Sequence, residues 1–344
     1  MPRFAKIALL FFLLLPLLGL PTAWFLSGAV LQHSFEAWVQ DRRDEGYALR
    51  YAEPELAGFP LGLDVRIPEP GVESPKGWLW RGPALTGGAT IWDPLSLALQ
   101  APGRHVVEWG PPNGRLSLRL DAAAAAGRAE LALDGRLRQA DAALTDVDAE
   151  GPLPGPIHID RLDLTYRDQD GPDPASPEPT GAPPGDLLVT ALGVDLPPGL
   201  ELPLGPRVEL FLVEGRVEGP LPAEASRRSL ALWRDAGGLL DIHRLKLRWG
   251  PLQLEAEGQL ALDKELRPTG ELTSNLRGGS DLVEHLAERK MIAERAAGAL
   301  KLAIFALSRN AEDGGPPVVE LPVSLKDGLF YLGPVALFRL RPVL

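Results

Sequence analysis

The sequence contains no cysteine. That excludes disulfides, thiolate metal sites and a cysteine nucleophile, and leaves the redox compartment open. Histidine is scarce. His33, His105, His158, His243 and His285 are the full set, with no close pair at metal-ligand spacing and no H-E-x-x-H. The G-x-S-x-G elbow, the G-x-x-x-x-G-K-[ST] loop and the G-x-G-x-x-G turn are absent too. Positive charge is in deficit: 35 Lys and Arg stand against 46 Asp and Glu, for a formal net charge of −11. Without a basic cluster the chain is a poor match for nucleic acid, or for electrostatic docking on an anionic leaflet. The expectation is therefore a non-enzyme, with no catalytic, metal-binding or cofactor-binding residue assigned.

What the chain does have starts at its N-terminus. Arg3 and Lys6 precede an uncharged run from Ile7 to Leu31. As a helix rising 1.5 Å per residue, that run reaches roughly 37 Å, enough for a hydrocarbon core of about 30 Å. The early positive charges place the N-terminus inside and the body outside. The alternative is a cleaved signal peptide with Ser27-Gly28-Ala29 as its small-residue site. The apolar run exceeds a usual signal-peptide core, which favours an anchor over residues 1–34. The expected location is a bacterial inner membrane, held through residues 7–31, with the body in the periplasm.

Beyond the anchor the dominant signal is period two. From Leu252 to Asp263, Leu252, Leu254, Ala256, Gly258, Leu260 and Leu262 share one side, and Gln253, Glu255, Glu257, Gln259, Ala261 and Asp263 the other. Such alternation predicts a half-buried strand. The same rhythm marks Leu61–Ile67, Arg115–Leu120, Ala129–Leu133 before Asp134-Gly135, Arg161–Tyr166 and Arg244–Trp249. At the C-terminus, Val319–Leu325 and Leu329–Val335 flank Asp327-Gly328, a hairpin signal. Short, turn-rich connections suit an antiparallel meander. Gly (37) and Pro (35) are abundant enough to supply the turns. Three helices are expected. One runs from Phe35 to Glu45, ended by Gly46, and one from Ala223 to Ala236, ended by Gly237-Gly238. The third and longest spans 281–307, with Asp281 and Glu284 as a capping box and Gly298 as its weak point. The stretch 168–186 is rich in Pro, Gly and acid and reads as a mobile loop. It divides an N-terminal part (35–167) from a C-terminal part (187–344).

Ordinary roles suffice for the remaining polar residues. His158 and His243 fall in alternating strands as face residues. Glu255 and Glu257 sit roughly 7 Å apart along one strand, as a solvated polar face and not a catalytic carboxylate pair. Trp78 and Trp80 fit either sheet packing or a membrane-interface position.

GFPLGLDVRI, the Trp92-Asp93-Pro94 neighbourhood, ALWRDAGGLLDIHRLKLRWGPLQLEAEGQLALD and LPVSLKDGLFYLGPV together resemble the bacterial domain-of-unknown-function family 2125 (DUF2125) over almost the whole chain after the anchor. That family brings no activity and no site residues with it. The alternating-leucine strands are also similar in style to AsmA-like envelope proteins. This second resemblance implies a long β-sheet curled into an apolar groove and a part in phospholipid movement or outer-membrane assembly.

The expected fold is mainly β with minor α. It is a long curled antiparallel sheet, groove-like or an open sandwich, with an N-terminal transmembrane helix and one long helix in the C-terminal half. The expected function is binding or passing a phospholipid or other acyl-chain ligand, or assisting envelope assembly. The expected groove lining is Leu245, Leu247, Trp249, Leu252, Leu254, Leu260 and Leu262. The alternatives are an anchored adaptor with a closed core and no ligand, and a hydrolase without a recognisable motif.

Overall fold

The computed structural model describes residues 3–343 except 76, 91, 111–114, 134–136, 152–154, 169–180, 183–184, 198–201, 203, 220, 223–226, 291, 310–316 and 334. Two compact units emerge, one of residues 1–137 and 142–153, the other of 138–141 and 154–344. The protein is mainly β, and its ladders among the described residues are antiparallel.

The first unit opens with helix α1 (Arg3–Asp44), which Gly46 terminates at φ 90°. The helix expected at Phe35–Glu45 is thus the last part of one continuous 42-residue helix. Then come β1 (Ala48–Arg50), β2 (Glu55–Ala57), β3 (Gly62–Ile67), β4 (Gly71–Glu73), β5 (Leu79–Arg81), β6 (Leu85–Thr90), β7 (Asp93–Gln100), β8 (Gly103–Trp109), β9 (Leu116–Leu131) and β10 (Leu137–Glu150). Their register has a simple logic. The first half of β9 pairs with β8, its second half with β7. Next to these, β5 pairs with β8 and β6 with β7, then β4 with β5 and β3 with β6, then β1 with β4 and β2 with β3. The short strands are therefore consecutive pieces of long ones, each interrupted at the same level. Pro54, Pro68, Pro70, Pro83 and Pro102 occupy the interruptions. Proline has no N–H to give a ladder, so aligned prolines crease the sheet without ending it. Single backbone bonds cross the crease, Ala52 N–H to Pro68 O at 3.1 Å and Gly82 N–H to Pro70 O at 3.0 Å.

The second unit is a meander: β11 (Ile157–Asp168), β13 (Gly185–Asp195), β14 (Arg207–Glu218), β16 (Leu239–Trp249), β17 (Leu252–Leu262), β18 (Pro268–Arg277), β20 (Val318–Lys326), β21 (Leu329–Leu332) and β22 (Val335–Arg339). Each pairs with the next, and no ladder among the described residues returns from β22 to β11, so the sheet is open. Minor elements are β12 (Gly181–Ala182), β15 (Leu221–Pro222) and β19 (Ser308–Arg309), with helices α2 (Arg227–Asp235), α3 (Gly279–Glu288) and α4 (Glu294–Leu307). α3 and α4 cover the apolar face of the C-terminal part of the sheet, over β17, β18 and β20. Val283 of α3 and Ala297, Leu300 and Ile304 of α4 share one core with Leu252, Leu272, Leu276, Val319, Leu321 and Val323. Leu300 and Leu321 are fully buried, each worth about 1.5–3 kcal/mol of transfer free energy.

Several sequence expectations change here. The helix expected over 281–307 is two helices, and the break lies at Lys290, which takes a left-handed φ of 56°. Gly298, the expected weak point, sits inside α4 with open space where a side chain would go. No capping box forms: the N-cap of α3 is Gly278 in a left-handed conformation, without a side-chain cap. The strands read separately at 115–120 and 129–133 are joined in the 16-residue β9, with Asp134-Gly135 outside the described residues. The loop read at 168–186 is narrower, because β11 extends to Asp168 and β13 starts at Gly185; most of the remainder is outside the described residues. Among the described residues no helix is long and apolar enough to cross a membrane. The expected span of 7–31 also overreaches at its C-terminal end, where Trp24 and Leu31 engage the sheet.

Candidate functional site

β3 alternates cleanly. Leu63, Val65 and Ile67 take one face, while Asp64 and Arg66 point to solvent on the other. The register carries that apolar face sideways. Leu56 of β2 lies opposite Val65, Val65 opposite Gly87 of β6, and Gly87 opposite Leu99 of β7. One row thus reads Leu, Val, Gly, Leu across four strands. A parallel row sets Leu63 beside Ala89. Gly87 and Ala89 contribute little side-chain volume, so the floor is low along the middle of the sheet.

α1 forms the roof. Trp24 donates its indole N–H to the Gly62 carbonyl at 2.7 Å, fixing the helix over the start of β3. Phe35 meets the Tyr51 ring edge-on at a centroid distance of 5.2 Å, fixing it over the crease. The spacing is matched. From Trp24 to Phe35 the helix rises roughly 16 Å, and from Gly62 to Ile67 the strand advances roughly 17 Å. Between floor and roof lies a trough of about 520 Å³, lined chiefly by Leu31, Phe35, Leu56, Leu63, Val65, Ile67, Leu85, Leu97 and Leu99. Polar groups gather towards the crease, where Gln32, Glu36, Tyr51 and Glu53 line it.

At the crease Trp38, 50% exposed, stacks on Phe35 at a centroid distance of 6.3 Å, and the other end of the trough is aromatic as well. Trp24, Phe25 and Phe59 form a cluster with ring centroids 5.2–6.5 Å apart. Phe25 is 66% exposed and Phe59 54%; Leu61 follows Phe59 in the same turn and is 47% exposed. Trp92, 77% exposed, sits in the turn after β6, beside the Gly62–Thr90 pair. Large rings left in water at one end of an apolar trough are not explained by packing within the unit. Trp78 and Trp80, the aromatics singled out in the sequence, lie elsewhere. Trp78 packs on Tyr47, and Trp80 stacks on His105.

The residues expected to line a groove belong to the second unit. Leu252 is buried in its core cluster, and Leu245, Leu247, Leu254 and Leu260 pack against that cluster. Trp249 is half-buried and donates its indole N–H to Gly205 O at 2.9 Å. Leu262 is half-buried at the end of β17. The structure brings most of them together, as part of a helix-covered core. The trough residues were largely missed, and their one sequence signal was Leu61–Ile67.

Among the described residues the ionisable groups with displaced pKa values are also in the second unit. For Asp263, burial raises the carboxyl pKa, but backbone and side-chain hydrogen bonds from Arg267 outweigh it and hold the group below its usual range. Hydrogen bonds to Asp195 and Asp160 raise the Arg207 guanidinium. His158 lies 3.6 Å from Asp160, and His243 3.6 Å from Asp241. Lys246 pairs with Glu255 at 2.6 Å, on the solvated face expected for that glutamate. No group of three or more potential metal ligands occurs among the described residues.

No curated protein and no solved structure shows significant similarity to the chain. One family does, by a match covering residues 24–341, from the tryptophan that pins α1 almost to the C-terminus. The chain belongs to DUF2125, the family described as an uncharacterized protein conserved in bacteria.

Proposed function

We propose that the protein is an inner-membrane-anchored, periplasm-facing lipid-binding protein whose acyl-chain site is the trough between α1 and strands β2, β3, β6 and β7. The trough is the observation that carries this reading. Its volume, about 520 Å³, falls within the roughly 300–1,000 Å³ common for small-molecule sites. Its walls are apolar, and each methylene moved there from water gains about 0.8 kcal/mol. Part of one lipid tail is enough for useful affinity.

The position of the trough supports the same reading. Upstream of Trp24, Ile7–Ala23 carries no charge. As helix it would reach roughly 26 Å, at the short end of what spans a bilayer. The exposed rings of Phe25, Phe59 and Trp92 lie at that same end of the trough, and membrane interfaces favour such rings. Tails would enter from the bilayer side. Passing lipid onward and assisting envelope assembly both begin with this holding step. Binding, not turnover, is the proposed activity.

The test uses the full chain in lipid nanodiscs carrying a phospholipid with a photoactivatable tail. Crosslinked peptides should map to β3, β6, β7 and residues 24–35. No crosslink, or crosslinks confined to residues 154–344, would overturn the proposal.

A further inference from the structure

At the crease, beside the trough, lies a second cavity of about 490 Å³, and Tyr51 lines both. This neighbour is charged. Arg50 of β1 lies opposite Gly71 of β4, and Gly71 lies opposite Arg81 of β5. The two arginines therefore leave the same face of adjacent ladders, roughly 10 Å apart at the backbone, with a glycine between them. A Cβ on Gly71 would sit 3.8 Å from Arg50 Cβ and 3.8 Å from Arg81 Cγ. The two side chains thus flank a backbone position that has no side chain of its own, and Gly71 itself is buried.

These arginines are short of partners. The chain is acidic, and most strand arginines here are matched: Arg104 with Asp121, Arg207 with Asp195, Arg216 with Asp186. Among the described residues Arg81 has no ion pair. Among the same residues Arg50 reaches only Glu73, at 3.9 Å, and its side chain is 69% exposed. Glu73 is also approached by Arg115 at 3.9 Å. Glu69 lines the cavity as well. Two arginines leaving one face on either side of a glycine suit a phosphate, which takes paired N–H donors from each guanidinium.

We propose that Arg50 and Arg81 bind the phosphate of the lipid whose tail fills the trough, so that the ligand is a glycerophospholipid. This rests on the trough reading above. The arrangement also preserves leaflet order. In a bilayer the phosphate lies outward of the hydrocarbon, and here the arginines lie at the end of the trough away from Trp24, Phe25 and Phe59. A lipid drawn up from the membrane keeps its tails nearest the bilayer and its headgroup farthest from it.

The test compares uptake by the delipidated full chain of phosphatidylglycerol, of diacylglycerol with the same tails, and of inorganic phosphate alone. The wild type should take up phosphatidylglycerol at least tenfold better than diacylglycerol. In Arg50→Ala/Arg81→Ala that preference should fall to within twofold, with diacylglycerol uptake unchanged. Unchanged diacylglycerol uptake also shows that the variant is folded. Arg50→Lys/Arg81→Lys should keep part of the preference. Equal uptake of the two lipids by the wild type, or a preference that survives the alanine pair, overturns the headgroup assignment while leaving the trough. Phosphate alone binding as tightly as phosphatidylglycerol overturns it in favour of a free-anion site. Uptake of neither lipid overturns both readings.

Discussion

The indole N–H of Trp24 donates to the carbonyl oxygen of Gly62 across 2.7 Å, joining a helix to a strand 38 residues away in sequence. Gly62 is the first residue of β3 and lies opposite Thr90, the last of β6. One bond therefore sets where α1 crosses the end of the trough nearest the proposed membrane. Replacing Trp24 with Phe keeps a ring but leaves the half-buried Gly62 oxygen without its donor, a change worth about 1 kcal/mol. Backbone hydrogen exchange should quicken over 21–31 and stay unchanged over 36–44, where Val39 is buried. Equal exchange in both segments would mean that ring packing alone holds the helix.

The depth of the trough depends on Gly87. A Cβ there would meet Leu99 Cδ2 at 3.1 Å, the movable end of a flexible side chain, so a larger residue fits after a small rotation. Gly87→Leu should fold with a stability change within about 1 kcal/mol and lose at least tenfold in tail crosslinking. Undiminished crosslinking would place the tail elsewhere.

Much of this fold was legible in the sequence, and the reason is visible residue by residue. In β17 every second side chain enters a core, so the leucines recur at period two. The same holds for Val319, Leu321, Val323 and Leu325 in β20, and Asp327 and Gly328 take the positive φ angles, 54° and 70°, that their hairpin demands. What stayed hidden depends on tertiary placement. Pro54, Pro68, Pro83 and Pro102 read locally as strand ends, yet the strands resume beyond them because neighbouring ladders break at the same level. Lys290 gave no sign that it would break a helix, since nothing intrinsic to lysine favours φ > 0. The trough was hardest to see. β6 reads LTGGAT, too poor in side chains to announce a binding floor, and that poverty is what makes room. The longest leucine pattern drew the groove expectation to 245–262, where α3 and α4 pack over the leucines.

That packing separates stability from binding. Leu300 is fully buried between α4 and the sheet of the second unit, and truncating it to Ala should cost about 2–5 kcal/mol. Urea unfolding would measure the loss. Tail crosslinking to β3 and β7, within the first unit, should be unaffected wherever the variant remains folded. A parallel loss of crosslinking would tie ligand binding to the second core.

Trp92 reports on the bilayer. With 77% of its surface exposed and no ring partner among the described residues, it is free to enter the interface. In nanodiscs containing lipids brominated near the headgroup, wild-type tryptophan emission should be quenched more than that of Trp92→Phe. Identical quenching would put Trp92 in water and remove the aromatic cluster from the interface.

Asp263 yields a pH-dependent prediction. Its carboxylate accepts from the backbone N–H groups of Glu265 and Arg267 at 2.9 and 2.8 Å and from Arg267 Nε at 2.7 Å, closing the turn from β17 to β18 around the buried Leu266. Burial raises the carboxyl pKa, and these bonds more than reverse that, so the folded-state value lies below the unfolded one of about 3.9. A depressed acid stabilises the fold at all pH values above its unfolded pKa. The contribution fades as pH falls towards and through the folded value, where both states become protonated. Asp263→Asn should therefore lower the urea midpoint of the second unit at neutral pH, and the gap to wild type should narrow steadily below about pH 4. A gap of constant size from pH 7 to pH 2.5 would show that the residue acts through hydrogen-bond geometry alone, with its charge contributing nothing.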